Sequence, residues 1–66
     1  MKKGDKVIPP VNVPRKLTKG KEYEILRCEP DYRIFEIRDD SGFILYCTLA
    51  TCHHIGFKDW TLKKGG

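Results

Sequence analysis

The chain has 66 residues, of which 39% are hydrophobic and 33% charged, and its net charge is +4. That length holds one small domain with a thin core, and the balance fits a folded domain better than a disordered tail. No apolar run approaches the roughly 18 residues that span a bilayer, and Met1-Lys2-Lys3-Gly4-Asp5 lacks the apolar stretch of a signal peptide.

In chain order, the sequence reads as short strands between turn signals. Lys6-Val7-Ile8 is a first strand, stopped by Pro9-Pro10 because proline cannot donate to a ladder. Val11 to Lys16, with Asn12 and Pro14, reads as a long irregular loop. Leu17-Thr18-Lys19-Gly20-Lys21 follows as a tight turn, with Gly20 free to take a positive φ. From Glu22 to Cys28, Tyr23 and Ile25 alternate with Glu22 and Glu24, the period of a half-buried strand. Glu29 to Tyr32 is a loop. Arg33 to Arg38 alternates again, with Phe35 and Ile37 on one face. Asp39-Asp40-Ser41-Gly42 predicts a hairpin turn. Phe43 to Leu49 is a strand apolar on both faces: Phe43, Leu45, Cys47 and Leu49 on one, Ile44 and Tyr46 on the other. Ala50 to Lys58 is irregular, with room for one short helical turn. Asp59 to Lys63 closes as the last strand, with Trp60 and Leu62 facing in.

Five short strands without a long amphipathic helix predict an all-β fold, a small and strongly bent barrel over residues 4–63 with a frayed tail at 64–66. The expected core is Val7, Leu17, Tyr23, Ile25, Phe35, Ile37, Phe43, Leu45, Leu49, Trp60 and Leu62. Closing the barrel removes most free strand edges, an aggregation hazard in so short a chain.

The string Leu17-Thr18-Lys19-Gly20-Lys21-Glu22-Tyr23-Glu24-Ile25-Leu26 resembles the diverging turn and following strand of SH3-like barrels. The order of elements is similar throughout: a first strand, a long loop, the turn, three strands, and a short connection to a last strand. With Asp39-Asp40-Ser41-Gly42, the same string also looks like short proteins of phages and prophages. The resemblance implies a five-stranded SH3-like barrel with at most one short helical turn. It also implies a non-catalytic accessory protein that binds a host or phage protein in the host cytoplasm. The chain departs from peptide-binding SH3 domains. It has no Ala-Leu-Tyr-Asp-Tyr-type start and no paired tryptophans where Arg33-Ile34-Phe35 stands. It has no Pro-Ser-Asn-Tyr-type turn where Cys52-His53-His54-Ile55 stands, so proline-motif reading is not expected.

Charge is unevenly spread. Residues 1–27 carry eight Lys or Arg against three acids, a net +5, whereas residues 28–46 carry a net −3. The basic third, with Lys2, Lys3, Lys6, Arg15, Lys16, Lys19 and Lys21, makes nucleic acid the alternative partner to protein. Tyr32 and Tyr46 are the aromatic residues best placed to stack or dock outward, with Arg15, Lys16 and Arg33 expected near them. With His53 and His54 they complete the candidate binding set.

Cys47, Cys52, His53 and His54 offer zinc-type donors within eight residues, a weak alternative metal site. Adjacent side chains rarely converge on one ion, and Cys47 falls on the inward face. The odd cysteine count argues against a disulfide framework, so Cys28, Cys47 and Cys52 read as reduced thiols and no cofactor is expected. A Cys52–His53 catalytic pair lacks an orienting third group and a cleft, so an enzyme is not expected. Ile44 and Tyr46 make a weak homodimer the alternative to a monomer.

Overall fold

Val7 lies between Lys6 and Ile8 and is completely buried, so one strand side already commits to the interior. In the computed structural model, which describes residues 1–64, this strand is β1 (Lys6–Ile8). It pairs antiparallel with β2 (Tyr23–Glu24) on one side and with β6 (Thr61–Lys63) on the other. The second sheet is β3 (Arg27–Glu29), β4 (Ile34–Arg38) and β5 (Ile44–Thr48), all antiparallel. The described residues are therefore all-β, in two three-stranded sheets with orders β2-β1-β6 and β3-β4-β5.

There are six strands where five were expected, because the Glu22–Cys28 stretch is two. Ile25 N–H donates to Asp5 O at 2.8 Å, and Ile25 O accepts from Gly4 N–H at 3.0 Å, both in the direction of the first sheet. Leu26 N–H donates instead to Glu36 O at 2.8 Å, in the second sheet. Arg27 also lies opposite Glu36, so two residues face one and the chain bends there. One continuous segment thus serves both sheets, the way corners between packed sheets are made.

The loop connections hold together by their own hydrogen bonds. Val13 and Leu17 exchange backbone bonds of 2.8 and 2.9 Å around Arg15, which sits at φ 68°. Gly20 takes φ 80° in the turn, as the sequence requires. At the hairpin tip, Asp39 Oδ1 accepts from Ser41 N–H, Ser41 Oγ–H and Phe43 N–H at 2.9, 2.6 and 3.0 Å. Asp40 reaches the other way: its carboxylate accepts from Thr18 Oγ1, Lys21 Nζ and Tyr23 OH at 2.7, 2.7 and 2.9 Å. The hairpin tip is thereby tied to the turn at residues 17–21. Two single-turn 3-10 helices occur, Pro30–Tyr32 and His53–Ile55, rather than the one short helical turn expected. The first has no signature in the sequence because three residues give no periodicity.

The core is Val7, Leu17, Tyr23, Ile25, Phe35, Ile37, Cys47, Cys52, Ile55 and Trp60. Trp60 stands edge-on to Phe35 and Tyr23, with centroids 5.5 and 6.4 Å apart, a favourable quadrupole geometry. Leu45, Leu49 and Leu62 pack against this cluster only in part. Phe43 corrects the expectation outright: it is 68% exposed. Its strand parity is inward, but its backbone is held at the hairpin tip by Asp39, and its ring lies under Lys16 Nζ at 5.8 Å. Cys52 and Ile55, which were not expected in the core, are buried there at the start and end of the His53–Ile55 turn. Of the tail expected to fray at 64–66, residues 65 and 66 lie outside the described residues.

Truncating Phe35 to Ala should cost about 3–5 kcal/mol in urea unfolding, because it empties a fully buried aromatic site. Phe43→Ala should stay within about 0.5 kcal/mol; equal losses would contradict this division of the core.

The Asp40 carboxyl is lowered from 3.8 to about 2, chiefly by the Lys21 hydrogen bond, then by Thr18 and Tyr23. A depressed carboxylate favours the folded state above its unfolded value and loses that contribution as pH falls through its folded value. Wild type should therefore lose more melting temperature between about pH 4 and pH 2 than Asp40→Asn does. Parallel curves for the two proteins would refute this role for Asp40.

Candidate functional site

The outer face of the second sheet follows from its register. Phe35, Ile37 and Cys47 point to the core, so Arg27, Glu29, Ile34, Glu36, Arg38, Ile44 and Tyr46 take the opposite face. One row across the sheet reads Arg27, Glu36, Tyr46, and the next reads Glu29, Ile34, Thr48. A shallow groove of about 60 Å³ opens here, lined by Arg27, Cys28, Glu29, Ile34, Phe35, Glu36 and Tyr46. Small-molecule sites commonly run about 300–1,000 Å³. This groove is the size of a seat for one side chain. Its rim carries both signs, with Arg27 Nε 3.7 Å from Glu36 Oε2.

The candidate residues fall into two groups rather than one. Tyr46 is 60% exposed on β5 and walls the groove. His54 Nε2 lies 3.1 Å from Tyr46 O, and the His53 and His54 rings are 4.1 Å apart. Tyr32 is 75% exposed at the end of the first 3-10 turn, and Arg33 follows it at φ 54°. Arg33 O accepts from Leu49 N–H, which sets that corner at the start of β4, beside the end of β5. Lys16 sits at the opposite end of the hairpin, 3.8 Å from Asp39 Oδ2, and Arg15 precedes it. The expected nearness of Lys16 to Tyr32 is thus corrected: the length of β4 separates them, while Tyr46 lies midway along β5. Arg27, Glu29, Ile34 and Glu36 are not among the expected site residues. Glu36 alternates outward in the sequence, but Arg27 shares the parity of Tyr23 and Ile25 until the bend at Leu26 turns it out, and Glu29 reads as loop.

The basic third of the chain is partly neutralised. Lys6 pairs with Glu24 at 3.5 Å, Lys16 with Asp39 at 3.8 Å and Lys21 with Asp40 at 2.7 Å. Asp39 is buried, and burial opposes its ionisation. The Ser41 hydroxyl, the Phe43 and Ser41 amides and Lys16 outweigh that and hold its carboxyl below the ordinary range.

The metal-type donors do not converge. Cys47 and Cys52 are buried in the core, His53 is exposed, and His54 is engaged with a backbone carbonyl. Among the described residues, no group of three or more His, Cys, Asp or Glu is placed to share an ion. All three cysteines are free thiols. Burial, reinforced by the neighbouring Cys52, pushes the Cys47 thiol far above its ordinary value. Thiolate is the reactive form, so iodoacetamide should label half-buried Cys28 first in the native protein. Cys47 and Cys52 should react only once denaturant is added. Mass spectrometry showing Cys47 labelled as fast as Cys28 would contradict the burial described.

Comparison of the chain with protein-family models, with curated proteins and with solved structures finds no match.

Proposed function

We propose that this chain is a non-catalytic SH3-like barrel that engages a protein through the outer face of its second sheet. The strand order supports the fold reading: β6 returns to β1, and a single bent segment joins β1's sheet to the β3-β4-β5 meander. On this reading it is an accessory protein acting on a host or phage macromolecule, a role drawn from the resemblance of its turn and hairpin sequences to short phage and prophage proteins.

One observation carries the choice of partner. The groove brings Arg27 together with two carboxylates, Glu29 and Glu36, beside exposed Tyr46 and half-buried Ile34. A polyphosphate backbone would meet like charge there, and nucleic-acid surfaces are strongly positive. An exposed aromatic wall beside a mixed-charge, mainly polar rim suits the border of a protein interface better than a phosphate track. The neighbouring Tyr32 corner and the 51–57 segment extend the same surface.

Nucleic acid is the second reading, favoured by Arg15 and Lys19, both exposed and without an ion pair among the described residues. The two readings separate in one experiment. A double charge swap, Arg27→Glu with Glu29→Arg, keeps the net charge and reverses the sign pattern of the groove rim. The swapped protein should lose capture of its host-lysate partner by about tenfold or more, while anisotropy with random DNA and RNA stays flat at low salt. Unchanged capture would sink the groove as the docking site. Low-salt binding that falls steeply as salt rises would shift the assignment to nucleic acid.

A further inference from the structure

We infer that β5 is a pairing edge for a second copy of this chain, so that two molecules share one antiparallel sheet of six strands. The backbone direction comes first. Leu49 N–H bonds to Arg33 O at 2.9 Å and Asp39 N–H to Phe43 O at 2.8 Å, both in the register of the β4–β5 ladder. The odd-numbered residues of β5 therefore bond to β4. The amides and carbonyls of Ile44, Tyr46 and Thr48 point to the other side, where β5 is the edge of its sheet. His54 takes one lone pair of the Tyr46 carbonyl. A carbonyl oxygen has two.

Composition comes second. Native edge strands are blunted by lysine, proline, a bulge or a cover. From Phe43 to Leu49 this strand has no charge and no proline. Three of the five exposed large hydrophobic residues, Phe43, Ile44 and Tyr46, lie on it.

Self-complementarity selects the occupant. An antiparallel pair centred on Tyr46 sets that residue against Tyr46 of the second copy, and Ile44 against Thr48 of the second copy. The Ile44 and Tyr46 side chains of both copies then form one apolar quartet on the outer face. On the inner side, exposed Phe43 comes opposite the half-buried Leu49 of the second copy. The flanking row runs Arg38, Ile44, then Thr48, Ile34 and Glu29 of the second copy, so its ends are opposite in sign. No like charges meet at the junction. The groove lies mainly over β3 and β4, and Tyr46 is the β5 residue that it shares with the pairing edge.

Sedimentation velocity and amide exchange test this on the intact chain. Wild type should dimerise as concentration rises, and the amides of Ile44, Tyr46 and Thr48 should become protected with it. Those of Leu45 and Cys47 should be protected at every concentration. Tyr46→Lys and Tyr46→Glu each place like charges face to face and should weaken association by about tenfold or more. Mixed together, the two variants should pair again. The proposal is overturned by a mixture no better than either variant alone, or by a dimer indifferent to both. Wild type that stays monomeric at millimolar concentration also overturns it, and leaves the edge to a strand of another protein.

Discussion

The bend at Ile25–Leu26 is the constraint on which the rest of this fold depends. Within two residues the backbone stops bonding toward Gly4 and Asp5 and starts bonding to Glu36. Without that switch, β1 and β6 would have no link to the second sheet except through loops. With it, Ile25 becomes fully buried, and Tyr23 and Phe35 come to flank Trp60 from different sheets. A small domain leaves a large share of its surface exposed. Serving two sheets with one segment is how this chain surrounds ten core residues without a disulfide: its three cysteines are free.

The hairpin tip provides a second tie, made of charge rather than packing. Asp39 turns its Oδ1 inward to close its own turn, and Asp40 turns outward to gather Thr18, Lys21 and Tyr23. Lys16 and Lys21 are drawn to these carboxylates. The basic third of the sequence is therefore partly spent inside the fold. A reading from net charge alone overstates how much positive surface faces a partner, and this is why the mixed-charge groove carries more weight here than the lysine count.

How far the sequence could be read follows from periodicity. Val7, Tyr23, Ile25, Phe35, Ile37 and Cys47 were legible as inward residues because strict alternation fixes the face. The β1 boundaries and the Asp39–Gly42 turn were legible because Pro9 and Gly42 act locally. What failed lacked a local signal. The break at Ile25–Leu26 depends on which neighbour each amide finds, a tertiary fact. Phe43 obeys its parity yet stays exposed, because the ladder ends at the hairpin tip with Lys16 above its ring. Cys52 and Ile55 lie in an irregular segment with no period, so nothing marked them as core. The candidate site divided for the same reason: Tyr46, His53 and His54 are near in sequence and meet, while Lys16 was joined to Tyr32 only by analogy of fold.

So small a core leaves little freedom in what the inward residues can be, and specificity must be written on what remains. On β5 two demands coincide in one strand. Its inward side chain Cys47 fills the core, and its outward side chains Ile44 and Tyr46 are larger and more apolar than solvent contact requires. A strand that had only to complete the barrel could carry Lys or Glu at both positions at no cost to packing, and would gain protection from edge-to-edge association. Glu36 and Arg38 on β4 show that this sheet face accepts charge readily. The apolar choice on β5 is therefore not imposed by the fold. Thr51, a β-branched residue at φ 49°, adds to the argument just beyond that strand. The chain keeps a costly backbone conformation at the entry to the segment that places His54 against the Tyr46 carbonyl. Apolar exposure and local strain both fall on one flank of the barrel: the exposed Ile44 and Tyr46 do not serve the core, and the segment behind Thr51 serves both, burying Cys52 and Ile55 while it sets His54 against the strand edge.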